Sequence, residues 1–291
     1  MKEKSILRTI AAWAIYPLSL VIVLIIYAAA LSGKLEYKIA PAISGGGLVL
    51  FYMIAERVIP YEKRWGMTWT SFKSDFKFIL TNGLFMAAIT TVLGYFAISM
   101  AGQTNGLAAS WPLHLQFLSC LLMFEIINYA IHRAMHEAPG DAGRFLWRVH
   151  AAHHLPDRLY VLMHAVFHPI NALLIQIGAL ILPVWIMGYD QRVVTLFVMI
   201  NGLQGAISHF NMDVRMGWMN YIFVGPELHR YHHSANATEA KNYGATTPIF
   251  DMVFGTFVYK PGLPPEQLGV SEDSRLPKYS EYRKVIALPF S

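Results

Sequence analysis

Twelve histidines stand in a chain of 291 residues, and eight of them fall into three short motifs. The stretch NYAIHRAMHE sets His132 and His136 four residues apart. WRVHAAHH relates His150, His153 and His154 as i, i+3 and i+4, and ELHRYHH repeats that spacing with His229, His232 and His233. Side chains three and four residues apart share one face of a helix, so each motif aims its imidazoles in one direction. A buried neutral imidazole must satisfy a donor and an acceptor, and leaving such groups unmet costs about 1 to 3 kcal/mol each. A metal ion takes the acceptor lone pairs together, while the opposite ring nitrogen donates to an oxygen that orients the ring. Glu137, Asp157 and Asp251 are candidate acceptors. Eight imidazoles exceed one tetrahedral zinc site and, with His209 added, suit two irons at about four nitrogens each.

Other chemistries fail on local grounds. His136-Glu137 continues into Ala138-Pro139-Gly140, so no HExxH zinc-peptidase signature forms. No Glu is followed three residues later by His, which removes the ferritin-type di-iron pattern. The single Cys120 cannot build a disulfide framework, a zinc ribbon or a cysteine-held iron–sulfur cluster. Neither a dinucleotide fingerprint nor a P-loop is present. A histidine-rich di-metal site is the natural reading, with a membrane metal transporter and a zinc hydrolase as rivals. A transport route places its ligands near the bilayer midplane.

The elements that must position these residues are membrane helices. The chain is 55% hydrophobic and 14% charged, with a mean hydropathy of +0.40, where soluble domains are about a quarter charged. Six apolar stretches, at 9–32, 40–59, 77–101, 112–131, 165–187 and 191–209, have about the length that crosses 30 Å of hydrocarbon. The first is longer than the apolar core of a cleaved signal peptide and is read as a retained span. The expected fold is all-α, a polytopic membrane protein with about six transmembrane or membrane-embedded helices and a cytosolic histidine-rich di-metal cap. It forms a single membrane domain over 1–291: spans and an interfacial loop at 1–110, a catalytic region at 111–260 and a cytosolic tail at 261–291. With both termini on one side, 20 of the 23 Lys and Arg share that side, leaving Lys34, Lys38 and Arg192 opposite. The positive-inside rule makes the richer side cytosolic and sets the histidines there, at a bacterial inner membrane or the endoplasmic reticulum. The segment Glu56 to Lys77 mixes basic residues with Trp65, Trp69 and Phe72 and reads as interfacial. The net charge of +5 is scattered between apolar runs, so it suits anionic lipid rather than nucleic acid.

The three motifs together resemble the fatty acid hydroxylase and sterol desaturase superfamily, whose pattern is HxxxH, HxxHH and a distant HxxHH. The likeness runs from about Asn128 to Thr256 and ends in NYGATTPIFDMVFGTF, similar to the family's Asn-Tyr-Gly and Trp-Asp segments, with Phe250 in place of Trp beside Asp251. The resemblance implies a di-iron hydroxylase or desaturase that uses O2 as co-substrate, with the eight motif histidines and His209 as metal ligands. It implies that Asn211 approaches the metal directly or through water and joins Glu137 and Asp251 as catalytic candidates. His168, followed by Pro169, is expected to line the substrate pocket. Relatives often carry Arg and Glu near this histidine where the present chain has Val166 and Asn171. His114 and His164 have no role in the pattern.

The expected substrate is a lipid entering from the bilayer: a fatty acyl chain, a sterol or a polar lipid. Phe85, Met86, Phe124, Met163 and Phe167 are expected to wall its path. Two electrons per turnover must come from a ferredoxin, a cytochrome b5-like protein or a flavin reductase, docking on Arg144, Arg148, Arg158 and Arg230. Hydroxylation is the expected outcome, with desaturation as the alternative on the same centre.

Overall fold

The computed structural model describes residues 6–100, 106–271 and 274–291, with side chains left out of the description at 90–100. Among the described residues it is all helical and contains no strand beyond one isolated bridge, Ser234 with Leu268. Three helices are long and apolar enough to cross a membrane: Ile6–Leu31, Leu113–Glu137 and Pro169–Met187. The expected stretches 40–59 and 191–209 are also helical, as α2 (Ala40–Val58) and α8 (Gln191–Ser208), but are not among those three. The stretch 77–101 falls in α3 (Trp69–Met100), much of it beyond the described side chains.

Packing separates the chain into two compact units interleaved in sequence. The first comprises residues 1–67, 156–164 and 195–274. Its apolar core joins α1 (Ile6–Leu31), α2 and the body of α8 through Tyr16, Val23, Leu48, Tyr52, Leu203 and Phe210. Two buried tyrosines supply its polar ties: Tyr52 donates to Ser19 Oγ at 2.6 Å, and Gln204 Nε2 donates to the Tyr16 hydroxyl at 2.8 Å. One face of α1 stays open, with Ile6, Leu7, Ile10, Trp13, Leu18 and Ile25 exposed. A contiguous apolar face of that kind suits hydrocarbon rather than water. After α8 the chain is mostly loop, interrupted by α9 (Pro226–His232) and α10 (Ile249–Val253).

The second unit comprises residues 68–155, 165–194 and 275–291. Here α4 (Leu113–Glu137) packs against α5 (Gly140–His154) and against a π-helical stretch, Leu174–Ile181, between α6 (Pro169–Leu173) and α7 (Leu182–Met187). Pro139 and the positive φ of Gly140 make the sharp turn from α4 into α5. The C-terminal α11 (Tyr282–Ala287) closes a small core in which Val285 meets Phe78, Ala152 and Val166. Gly188 ends α7 with φ +63°, and a Cβ there would strike the Gly106 backbone at 2.7 Å, so only glycine fits.

Candidate metal centre

In the second unit the first two motifs meet. His132 and His136 occupy the last two turns of α4, and His150, His153 and His154 the last two turns of α5. Ring nitrogens of His132, His136, His150 and His154 all lie within 4.8 Å of one another. His150 Nε2 is 3.0 Å from His132 Nε2 and 3.0 Å from His154 Nε2. In the first unit His209, at the end of α8, joins α9: His229 Nε2 is 3.1 Å from both His209 Nε2 and His233 Nε2. Residue spacing thus brings each motif onto one face, as the i, i+3, i+4 rule requires.

The opposite ring nitrogens fix the tautomers. His150 Nδ1 is 2.7 Å from Asn171 Oδ1, His153 Nδ1 is 2.9 Å from the Val166 carbonyl, and His232 Nδ1 is 2.9 Å from the Lys241 carbonyl. His209 Nδ1 is 3.0 Å from the Gly205 carbonyl. A carbonyl oxygen only accepts, so each Nδ1 carries the proton and each Nε2 keeps a lone pair. Phe167 stacks on the His153 ring at 4.3 Å and 16° and fixes its plane.

These four acceptors are carbonyl and amide oxygens. Asp157 is exposed and pairs with Arg158 at 3.1 Å. Glu137 pairs with Arg133 at 2.7 Å, one turn along α4. Asp251 is fully buried and accepts from the Tyr243 and Gly244 amides, each at 2.8 Å, and from the Thr256 hydroxyl at 2.7 Å. It therefore shapes the NYG turn that follows α9. Asn211 lies two residues from His209, and its side chain clasps the backbone N–H of Glu62 at 3.1 Å and its carbonyl at 3.0 Å. The Asn211 amide donates to buried Glu56, which also accepts from Val161.

His168 caps α6: its Nδ1 accepts from the Ile170 amide at 3.1 Å while Nε2 donates to the Ile286 carbonyl at 3.1 Å. Both ring nitrogens are thereby engaged with backbone. His164 donates to the Val161 carbonyl at 2.7 Å and belongs to neither histidine set. Arg230, expected on a docking face, is 4% exposed. Its guanidinium lies over the Tyr61 ring at 4.1 Å and donates to the Met212 carbonyl at 2.5 Å. Such a buried cation braces α9 from within instead of meeting a carrier protein. Of the suggested wall residues, Phe167 serves His153, and Met163 is buried with Trp65 and Leu159 in the first unit.

The motifs assign no role to Asn171, and Asn242 enters them only as the first residue of the NYG segment. Asn242 has φ +59°, a conformation asparagine tolerates better than most residues. Its side chain donates to the Leu228 carbonyl at 2.9 Å and the Val258 carbonyl at 2.8 Å, binding α9 to the chain beyond α10. The only sequence signal at Asn171 was its departure from the carboxylate common in relatives.

The fatty acid hydroxylase family profile matches residues 117–256, a range that contains all nine histidines of the site. An ornithine lipid hydroxylase of Rhizobium tropici is 31% identical over 236 residues, covering 77% of this chain and 68% of that protein. A fatty acid hydroxylase of a Lecanicillium species is 30% identical over 46% of this chain and 40% of its own length. An alkylglycerol monooxygenase of Caenorhabditis elegans is 28% identical over 50% of this chain and 28% of its own. No solved structure matches the chain. Extended identity to the first relative, together with motifs whose side chains converge as a metal requires, establishes that the chain belongs to the fatty acid hydroxylase family.

Proposed function

We propose that the chain is a membrane-bound lipid hydroxylase that inserts one oxygen atom of O2 into a C–H bond, with electrons delivered by a separate protein. The observation that carries this reading is the spacing of the converging Nε2 atoms, 3.0 to 3.1 Å. Two nitrogens bound at about 2.1 Å to one ion lie about 3.0 Å apart at right angles and about 3.4 Å apart in a tetrahedron. The observed spacing is short enough for neighbouring imidazoles to share one ion, and nine histidines exceed what a single tetrahedral zinc site takes. His132, His136, His150 and His154 would hold one iron and His209, His229 and His233 the other, with His153 and His232 completing the ligand set. Reduced iron in such a centre supplies activation of O2 toward an unactivated C–H bond.

The chain's own residues hold and orient. Asn171, Val166, Gly205 and Lys241 keep Nδ1 protonated, so that Nε2 is available without a proton to lose. Glu137, Asn211 and Asp251 act as positioning residues, and His168 as a helix cap that sets the path of α6. The overall change consumes the lipid C–H, O2, two electrons and two protons, and yields the alcohol and water. Hydroxylation is favoured over desaturation because the named relatives are hydroxylases and a monooxygenase. A transporter is disfavoured because His132 and His136 stand at the end of α4 rather than at its middle. The histidines face the cytosol on the charge distribution given above, and the reductant is a ferredoxin, a cytochrome b5-like protein or a flavin reductase.

Expression in a lipid-producing host should yield lipids heavier by one oxygen, absent with His153→Ala. Iron-loaded protein, supplied with a working reductant, that leaves every lipid unchanged would refute the assignment. Mössbauer spectra of anaerobically reconstituted protein should show a coupled ferric pair after oxidation.

A further inference from the structure

The first unit contains a second feature that the metal centre does not use. A cavity of about 1140 Å³ opens beside α9, where Tyr231 and Ser234 reach its wall. Six charged side chains line it, three of each sign: Arg64, Arg158 and Lys260 against Asp157, Glu239 and Glu266. Trp65 and Leu268 add apolar surface and continue into the buried cluster of Leu159, Tyr160 and Met163.

We infer that this cavity binds the zwitterionic headgroup of a lipid, one that carries a primary ammonium and an acidic group together. The choice of a lipid as ligand rests on the hydroxylase reading above. Two internal pairs are already made, Lys260 with Glu239 at 2.7 Å and Arg158 with Asp157 at 3.1 Å. Glu266 is left over, and Arg64 holds only a long, solvent-exposed pair. Arg64 is ion-paired with Glu62 at 3.8 Å, outside the cavity, and among the described residues Glu266 has no ion-pair partner. A purely anionic headgroup would leave Glu266 unanswered, and a neutral one would engage neither Glu266 nor the loosely paired Arg64. A zwitterion answers Arg64 with its acidic group and Glu266 with its ammonium, and the hydrophobic wall accepts the adjoining carbons.

The cavity is also wired to the metal ligands through backbone. The rim segment donates from Gly269 N–H to the His233 carbonyl at 2.9 Å, and Ala235 N–H donates to the Gln267 carbonyl at 2.9 Å. Tyr231 donates from its hydroxyl to the Leu263 carbonyl at 2.7 Å. A headgroup seated against Glu266 therefore touches the strand of chain that holds His233 in place.

The test is lipid binding to the full chain in detergent micelles, read by native mass spectrometry. Four probes separate the possibilities: an ornithine lipid, phosphatidylethanolamine, phosphatidylglycerol and an alkylglycerol. The first two should bind roughly tenfold tighter than the last two, the worth of one charge-assisted hydrogen bond. Tighter binding of the ornithine lipid assigns the acidic group as carboxylate, and tighter binding of phosphatidylethanolamine assigns it as phosphate. The double variant Arg64→Gln with Glu266→Gln should abolish the preference with metal content and melting temperature unchanged. Equal binding of all four, or a preference that survives both substitutions, overturns the inference. If the preference is missing but loaded protein still oxidises a lipid, the cavity assignment falls and the hydroxylase reading stands. A preference that the double variant removes, with no lipid oxidised, upholds the cavity and sinks that reading.

Discussion

The two histidine sets are built by opposite means. His132, His136, His150 and His154 stand on α4 and α5, helices of 25 and 15 residues whose packing places the rings. His229, His232 and His233 sit on and just after α9, which has only 7 residues and cannot position anything by its own stability. What holds the latter is a set of side-chain to backbone clasps: Asn242 to the Leu228 carbonyl, Glu227 to the Met216 amide at 2.9 Å and to Asn220 at 2.7 Å, and Asp251 around the NYG turn. Arg230 adds its stack on Tyr61. The α4–α5 set depends on packed apolar surface and the α9 set on satisfied buried polar groups, so they should fail under different insults.

The largest effects test whether the halves are separable. His150→Ala and His229→Ala should each lower turnover by more than about a hundredfold and remove about one metal per chain by elemental analysis. If either substitution strips both metals, the contrast between the halves is broken. Asp251→Ala removes the acceptor for two amides and a hydroxyl at a fully buried site, which should cost on the order of 3 kcal/mol in unfolding measurements. It should also loosen the metal of the α9 set before that of the α4–α5 set. Asn171→Ala should weaken metal binding at the α4–α5 set about 10- to 100-fold, while Asn171→Asp retains it. Metal titration of the two variants distinguishes an orienting role from a merely structural one.

The smallest expected effect is on pH dependence. Burial pulls His164 below its ordinary pKa near 6.5, so the unfolded chain takes up its proton first as pH falls. Its contribution to stability is complete above that value and declines as pH drops through it toward the folded pKa. His164→Gln should flatten the acid limb slightly when metal-free protein is melted at about pH 7.5 and 5.5. An identical acid limb would place the whole sensitivity in the metal-site histidines.

Much of this centre was legible in the residues. The three motifs land on helical faces, and His209 joins the third across a gap of twenty residues because α8 ends beside α9. What spacing does not encode is the partner of each Nδ1. Val166 and Lys241 contribute carbonyls from irregular segments, where the path of the chain, rather than the identity of the side chain, decides what is offered. Of the carboxylates expected as acceptors, Asp157 faces outward beside Arg158, and Glu137 lies one turn from Arg133 and pairs with it. Arg230 reads in sequence as a solvated charge. Its burial depends on Tyr61, 169 positions earlier in the chain, which supplies an aromatic face, and on the Met212 carbonyl, which accepts from it. The apolar runs showed where helices form, but α2 carries Glu56 and Arg57 near its end, and polar content of that kind separates a helix that is long enough from one that is apolar enough.

The π-helical stretch Leu174–Ile181 carries a consequence for how this chain tolerates change. Gly178 within it stands where an added Cβ would come 3.3 Å from Ile131 Cδ1, and Ile131 immediately precedes His132. A wider turn than the α-helix spends extra residues per revolution, so deleting one residue here would rewind the segment and rotate everything after it by about 100°. The length of this stretch is thus an angular setting rather than a spacer, and insertions or deletions that a surface loop absorbs would here turn a surface bearing on α4 out of phase with the first ligand.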